Sequence, residues 1–220
     1  MNMGPQHSST HGVLRLRLHM EGERILEAEA VIGYGHRAHE KMAENRDYLQ
    51  FLPNTSRIDY LSGMIYNLGY CQAIEKAMQI EVPERAEYIR IIAGELNRIT
   101  SHLLWFGTYL LDLGGITPFL YAFDDREKIL DILDLVTGSR LTYSYGRFGG
   151  VSMDVDDEFL QATADFCTHF RQRITEYHTL VTHNVIFRHR TKGVGDMGAD
   201  LARDFGVTGP CLRAAGVARD

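Results

Sequence analysis

The chain has 220 residues, of which 45% are hydrophobic and 24% are charged, and its formal net charge is −6. These values are typical of one globular domain, or one domain with a small appendage, and give no reason to expect nucleic acid or an acidic membrane surface as a direct partner. The three cysteines, Cys71, Cys167 and Cys211, lie far apart in sequence, so no zinc motif or disulfide framework is indicated and a reducing compartment fits. The longest apolar stretch, residues 103–113, is too short to span a bilayer.

The N-terminal region predicts a loop followed by a β-hairpin. Residues 1–11 contain glycine and proline and show no periodicity, which predicts a loop. Residues 13–20 alternate between apolar and polar side chains, residues 21–23 predict a turn, and residues 25–32 alternate again.

The pattern becomes helical from residue 55 onward. Four helices are predicted, over residues 57–79, 83–111, 117–138 and 159–184. Pro83 starts the second helix and Gly114-Gly115 ends it. We therefore predict an α+β protein dominated by helices, with a loop and β element in residues 1–54 and a helical core in residues 55–220.

Two histidines in the N-terminal loop are candidate ligand-binding residues. His7 and His11 have the four-residue spacing of metal ligands on a helix, but Pro5 and Gly12 argue for a loop. A loop histidine among small residues suits hydrogen bonding to a ligand better, because loops on rigid scaffolds carry function. The residues alone still favour a solvated side chain.

Asp112 is placed near the C-terminal end of a long apolar helix. A carboxylate there loses hydration and meets the negative end of the helix dipole, so it needs a cationic or donating partner such as a histidine. The alternative is that it accepts hydrogen bonds from backbone amides of the turn at Gly114-Gly115. The residues alone leave both interpretations open.

Two further polar groups have simple structural interpretations. Arg57, Asp59 and Tyr60 open the first predicted helix, where exposed capping is expected. The helix that contains Asp112 also carries a polar stripe, for which an internal salt bridge that supports helix packing is favoured. The stripe consists of Glu95, Arg98 and His102.

Motifs spread over essentially the whole chain carry a family resemblance. They are Gly4-Pro5-Gln6-His7 with Thr10-His11-Gly12, Gly33-Tyr34 with His36-Arg37, Arg57 with Asp59-Tyr60, Val82-Pro83 with Arg85-Ala86, Glu95-Leu96 with Arg98-Ile99, Leu111-Asp112 with Gly114 and Thr117-Pro118, Arg147 with Gly149-Gly150, and Gly209-Pro210 with Leu212-Arg213. Together they resemble the quinone-site subunit of complex I-type respiratory enzymes, often called the 49 kDa or D-type subunit.

The resemblance implies a fold similar to the large subunit of nickel-iron hydrogenases. It also implies a subunit of a proton-translocating NADH:quinone oxidoreductase, although NADH, reduced deazaflavin and ferredoxin all stay open as electron donors. Quinone would be the substrate, and this chain would hold no cofactor and no metal. The implied partners are an iron-sulfur B-type subunit, a 30 kDa-like C-type subunit, a ferredoxin-like I-type subunit and a membrane H-type subunit. Through them the chain would lie peripherally on the cytoplasmic side of a prokaryotic membrane.

The resemblance assigns roles to four residues. His11 and Tyr60 resemble the two hydrogen-bond partners of the quinone carbonyls. Asp112 resembles the carboxylate that pairs with that histidine, which favours the paired interpretation. Arg37 matches a basic residue near the iron-sulfur cluster of the partner subunit.

The sequence also departs from the family pattern. Thr142 stands where many members carry a histidine that couples to protonation of the cluster, so the resemblance does not extend to that coupling. The chain ends before the family's C-terminal region, so we expect a fragment of a longer subunit. The other departures are Ser8 for proline, Gly35 for a bulky residue, His39 for a small or apolar one and Asp124-Asp125 for Arg-Glu.

Two other classes of protein are alternatives. Large subunits of nickel-iron hydrogenases carry Arg-Ile-Cys-Gly-x-Cys, in which both thiolates bind nickel. The aligned stretch here has Asp59 and Ser62 at the thiolate positions, so that ligand pair cannot form. A non-catalytic scaffold of the same fold is the other alternative, and the presence of His11, Tyr60 and Asp112 argues against it.

Overall fold

The N-terminal part of the chain forms a small antiparallel sheet. The structure, a computed structural model, describes residues 1–7, 10 and 12–218. Its strands are β1 (Asn2–Met3), β2 (Arg15–Glu21) and β3 (Arg24–Val31), in the spatial order β1-β2-β3.

The predicted hairpin is confirmed as β2 and β3. Leu16, Leu18 and Met20 are less exposed than the residues between them, as the alternation predicts. The prediction of a loop throughout residues 1–11 is wrong at β1, which pairs with Arg17 and Leu16 of β2. Two residues are too few to show the alternation that marks a strand in sequence.

Helices make up most of the rest of the described chain, and the mainly helical α+β class is confirmed. The elements in order are α1 (His39–Glu44), α2 (Tyr48–Thr55), a 3₁₀ turn (Tyr60–Ser62), α3 (Gly63–Met78), α4 (Glu84–Asp112), α5 (Ile116–Thr137), the short hairpin β4 (Gly146–Arg147) and β5 (Gly150–Val151), α6 (Asp157–Tyr177), a π-helical turn (His178–Thr182), α7 (Val185–Thr191), α8 (Ala199–Asp204) and α9 (Gly209–Ala214).

Some helix boundaries differ from the prediction for identifiable reasons. The first predicted helix begins at Gly63 and not at residue 57, because a 3₁₀ turn precedes it. Helix α2 was not predicted, since Pro53 lies within it, yet a capping box of Asp47 and Gln50 starts it. The fourth predicted helix gives way to the π-helical turn after Tyr177.

Helix α4 is the central element of the core. It has 29 residues, which corresponds to a length of about 43 Å. It packs against α5 and α3. Gly107 lets α5 approach closely, because a Cβ atom there would lie 3.3 Å from Phe123 Cε2 and 3.4 Å from Ala122 Cβ.

A buried ion pair joins α3, α4 and the short hairpin. The side chains of Arg90 and Glu75 are 2% and 6% exposed, and their closest N–O distance is 2.5 Å. Arg90 also donates to the carbonyl oxygens of Arg147 and Gly150, and Glu75 accepts from the Gly149 amide at 2.8 Å. Because the buried charges are hydrogen-bonded as well as paired, the network fixes the hairpin against both helices.

The chain divides into two compact units, residues 1–172 and 173–220. The first contains the sheet and helices α1 to α5, and the second contains the π-helical turn and helices α7 to α9. The predicted division at residue 54/55 by secondary-structure content stays a prediction. In the ranges described above, no helix combines the length and apolar character needed to cross a membrane.

Candidate functional site

Tyr60 begins the 3₁₀ turn between α2 and α3 and is 49% exposed. Among the residues that the structure describes, none forms a hydrogen bond with its hydroxyl group. A Cβ atom built on Gly12 would lie 4.0 Å from the Tyr60 hydroxyl oxygen. The fold therefore brings the end of the N-terminal loop next to Tyr60, although the two residues are far apart in sequence.

His11, the second predicted site residue, lies outside the described residues. Of the described residues around it, His7 and Gly12 form an antiparallel bridge. Thr10 is buried and donates from both its amide and its hydroxyl to the carbonyl oxygen of His7, at 3.1 and 2.9 Å.

Asp112 is the last residue of α4 and is exposed. The three amides that follow it donate to carbonyl oxygens of the helix. Leu113 donates to Tyr109 at 3.2 Å, Gly114 to Leu111 at 2.9 Å and Gly115 to Leu110 at 2.7 Å. The amides of this turn therefore have acceptors within the end of the helix.

Arg37, predicted to lie near a partner's cluster, is exposed in the loop between β3 and α1. Within the described ranges, its guanidinium group forms no hydrogen bond or ion pair.

The turn that carries Tyr60 is held by three side chains. The Asp59 carboxylate accepts from the amides of Leu61 and Ser62, at 3.1 and 3.4 Å, which confirms the predicted capping role of Asp59. Asn97 of α4 donates to the carbonyl oxygen of Leu61 at 3.2 Å. Ser101, also on α4, accepts from the hydroxyl of Ser62 at 3.2 Å.

The favoured interpretation of the polar stripe is wrong in one respect. Arg98 and Glu95 do form an ion pair at 3.1 Å, but their side chains are 49% and 58% exposed. An exposed pair contributes about 0–1 kcal/mol and does not support the core. The pair that does so is Glu75 with Arg90, which sequence reasoning missed because its two residues lie 15 positions apart on different helices.

Two departures from the family pattern have structural consequences. Thr142 adopts the left-handed conformation with φ of 53°, which is strained for a β-branched residue, and its carbonyl oxygen accepts from the Ser56 hydroxyl at 3.3 Å. Asp125 is fully buried, and its Oδ1 lies 2.9 Å from Nε2 of His169.

Comparisons with known proteins agree with the motifs. Residues 112–220 match the family described as the respiratory-chain NADH dehydrogenase, 49 Kd subunit. The NADH-quinone oxidoreductase D-type subunit of Syntrophobacter fumaroxidans is 64% identical over all 220 residues, which cover 59% of that protein. The corresponding protein of Desulfotalea psychrophila is 58% identical over 217 residues, covering 99% of this chain and 58% of the relative.

The similarity covers all of this chain but only part of each relative. A further NADH-quinone oxidoreductase D-type subunit, from Opitutus terrae, is 58% identical over 220 residues, the whole of this chain and 55% of that protein. The chain therefore spans rather more than half the length of the curated relatives it matches. Identity of this level across the whole chain, with the family match in its C-terminal part, shows that the chain belongs to the 49 kDa, or D-type, subunit family of the respiratory-chain NADH dehydrogenase.

Proposed function

We propose that the chain forms one wall of the quinone-reduction chamber of an NADH-quinone oxidoreductase that translocates protons. The names of its relatives supply the reaction class. The observation that carries the proposal is the hydroxyl of the half-exposed Tyr60, which forms no hydrogen bond among the described residues and lies beside the end of the N-terminal loop. The hydrogenase alternative has no support in these names.

In this proposal Tyr60 and His11 donate hydrogen bonds to the two carbonyl oxygens of the quinone. Reduction of a quinone to a quinol takes up two electrons and two protons. Negative charge that develops on the oxygens in a site with little water is stabilised by donors already aimed at them. Tyr60 supplies a neutral donor, and His11 supplies a proton when it is an imidazolium.

Asp112 acts through His11. A carboxylate close to an imidazole stabilises its protonated form, so the pair is a local proton source that refills from solvent. After His11 gives up its proton, the charge of Asp112 is no longer balanced. This change drives the conformational step that couples quinone reduction to proton movement.

The remaining partners follow from this role. The electrons come from an iron-sulfur cluster that a B-type partner subunit holds, with Arg37 near that cluster. Subunits of the C, I and H types complete the enzyme, and the H-type subunit provides the contact with the membrane. The chain itself lies at the membrane periphery, on the cytoplasmic side.

The first prediction tests Tyr60 in the assembled membrane enzyme. Replacing Tyr60 by Phe removes one hydrogen-bond donor and keeps the ring. Loss of such a bond is expected to lower kcat/KM for a short-chain quinone by about 3- to 30-fold. The rate with ferricyanide, which takes electrons upstream of the quinone, is expected to stay unchanged.

Tyr88→Phe is the matched control. Tyr88 is also an exposed tyrosine, at 61%, but it lies near the start of α4, remote in sequence from Tyr60, His11 and Asp112. Normal quinone kinetics in the Tyr60→Phe enzyme would refute the proposed site.

A further inference from the structure

The buried side chain of Asn97 spans the segment that joins Tyr60 to α3. Asn97 is 1% exposed. Its Oδ1 atom accepts from the Met64 amide at 3.1 Å, and its Nδ2 atom donates to the Leu61 carbonyl oxygen at 3.2 Å. One side chain of α4 thereby binds the residue directly after Tyr60 and the first turn of α3.

The amide of Asn97 is itself held in place. Its Nδ2 atom lies 3.3 Å from the Thr100 hydroxyl oxygen, and Thr100 is buried one turn further along α4. Ala93 and Leu96, which precede it in the same helix, belong to the core. The Asn97 side chain is therefore a fixed point, and its hydrogen bonds fix the positions of the Leu61 carbonyl group and the Met64 amide.

The turn needs such a fixed point because it is short. It comprises three residues, and a 3₁₀ turn of this length has few internal backbone hydrogen bonds. Asp59 caps it from within the same segment, and contacts with α4 relate it to the core. Ser101, one turn beyond Asn97, provides the second of these through the Ser62 hydroxyl.

We propose that Asn97 is a positioning residue for Tyr60, with Ser101 as a second support. This inference rests on the proposed function, because it assigns Asn97 a part in aiming the Tyr60 hydroxyl at the quinone. Asn97 does not bind the quinone itself. Its effect is expected because a misplacement of about 1 Å in a reacting group is enough to lower the rate strongly.

The chain offers a matched control for a test of Asn97. Asn67 is also fully buried, and its Oδ1 atom accepts from a backbone amide, that of Gly146, at 2.7 Å. Its Nδ2 atom has no hydrogen-bond partner among the described residues. Asn67→Asp and Asn97→Asp therefore both keep an acceptor and both bury a carboxyl group. Only Asn97→Asp loses donated bonds, one to the segment that carries Tyr60 and one to the Thr100 hydroxyl within α4.

The experiment uses the assembled membrane enzyme with four variants. They are Asn97→Asp, Asn67→Asp, Tyr60→Phe, and Tyr60→Phe combined with Asn97→Asp. KM and kcat for a short-chain quinone and the rate with ferricyanide are measured for each. We expect Asn97→Asp to lower kcat/KM for quinone by about 3- to 10-fold, which corresponds to the loss of the bond to the Leu61 carbonyl, with an unchanged ferricyanide rate. Asn67→Asp should leave quinone kinetics within about twofold of the parent, as expected when that bond is kept.

The double variant separates positioning from general loss of structure. If Asn97 acts through Tyr60, Asn97→Asp has less effect in the Tyr60→Phe background than alone. Equal effects in both backgrounds, or equal effects of Asn97→Asp and Asn67→Asp, would overturn the inference. If Asn97→Asp prevents assembly, Ser101→Ala takes its place and is held to the same criterion of non-additivity.

Failure of the inference can be told apart from failure of the proposed function. A Tyr60→Phe enzyme with normal quinone kinetics removes Tyr60 from the site and overturns both. An impaired Tyr60→Phe enzyme with a normal or strictly additive Asn97→Asp effect leaves the proposed function standing and overturns only the role of Asn97.

Discussion

At the scale of single residues, burial separates the cysteines of this chain into two kinds. Cys167 and Cys211 are exposed, whereas Cys71 is buried in α3. A Cβ atom on Gly146 would lie 3.2 Å from the Cys71 sulfur atom, which shows how closely the β4 strand covers it. Burial raises the pKa of the Cys71 thiol to about 11. The thiolate is the nucleophile, so Cys71 should be inert at neutral pH.

We therefore predict that iodoacetamide at pH 8 modifies Cys167 and Cys211 of the native chain but not Cys71. At a pH below its pKa of about 11, the Cys71 thiol keeps its proton, and the fraction present as the reactive thiolate falls as the pH decreases. Mass spectrometry of peptides from the alkylated protein measures each site. Unfolding in guanidinium chloride is the control, and there all three cysteines should react. Modification of native Cys71 at the rate of the other two would contradict the prediction.

The family resemblance of short motifs, and not the chemistry of the single residues, indicates Tyr60 and Asp112 as residues of the proposed site. The position of the Gly12 end of the loop beside Tyr60 was not predictable from local patterns, since only the fold brings these segments together. Asn97 was also missed. A signal was present, because Asn97 is an amide on the buried face of α4, between Leu96 and Thr100. Its partners at Leu61 and Met64 still had to come from the structure.

At the scale of elements, the sequence predicts long helices better than their junctions. Helices α4 and α5 were predicted almost to their ends, because proline and glycine mark their boundaries. The segment between α2 and α3 was not, since a side-chain cap at Asp59 and contacts with α4 shape it. The same holds for the hairpin of β4 and β5, whose position depends on Arg90 and Glu75.

The junction of α3, α4 and the short hairpin should depend on Arg90. Replacing Arg90 by Ala leaves Glu75 as a buried carboxylate without its cation. Breaking such a pair is expected to lower the free energy of unfolding by about 3–5 kcal/mol. Urea denaturation measures the loss. Arg98→Ala on the same helix, which removes an exposed ion pair, should cost about 0–1 kcal/mol.

The same pair gives an acid dependence with a definite sign. Burial raises the pKa of Glu75, but the hydrogen bonds from Arg90 and the Gly149 amide and the charge of Arg90 outweigh burial and hold the pKa below its ordinary value. Ionised Glu75 therefore stabilises the fold above the unfolded-state pKa of about 4.3, and this contribution is lost as the pH falls through the lower folded-state pKa. In Glu75→Gln this part of the acid dependence should be absent. An unchanged acid profile would count against the pair as its source.

At the scale of the whole molecule, the two compact units differ in how much apolar surface they bury. The first unit contains the long helices α4 and α5 and most of the buried apolar side chains. In the described part of the second unit, the buried apolar side chains are Tyr177, Val181, Ala202 and Leu212. A short segment that buries so little apolar surface has little to offset its loss of chain entropy.

We predict that the two units behave differently when they are expressed separately. A fragment of residues 1–177, which keeps α6 whole, should unfold in one cooperative thermal transition, because it retains the packing of α4 against α3 and α5. A fragment of residues 173–220 should show weak helicity and no cooperative transition, because its helices α7 to α9 have six or seven residues each and are too short to be stable without tertiary packing. Circular dichroism at 222 nm during heating measures both. A cooperative transition in the shorter fragment would mean that residues 173–220 are a domain able to fold alone, and the role of the first unit as the stable part of the chain would have to be abandoned.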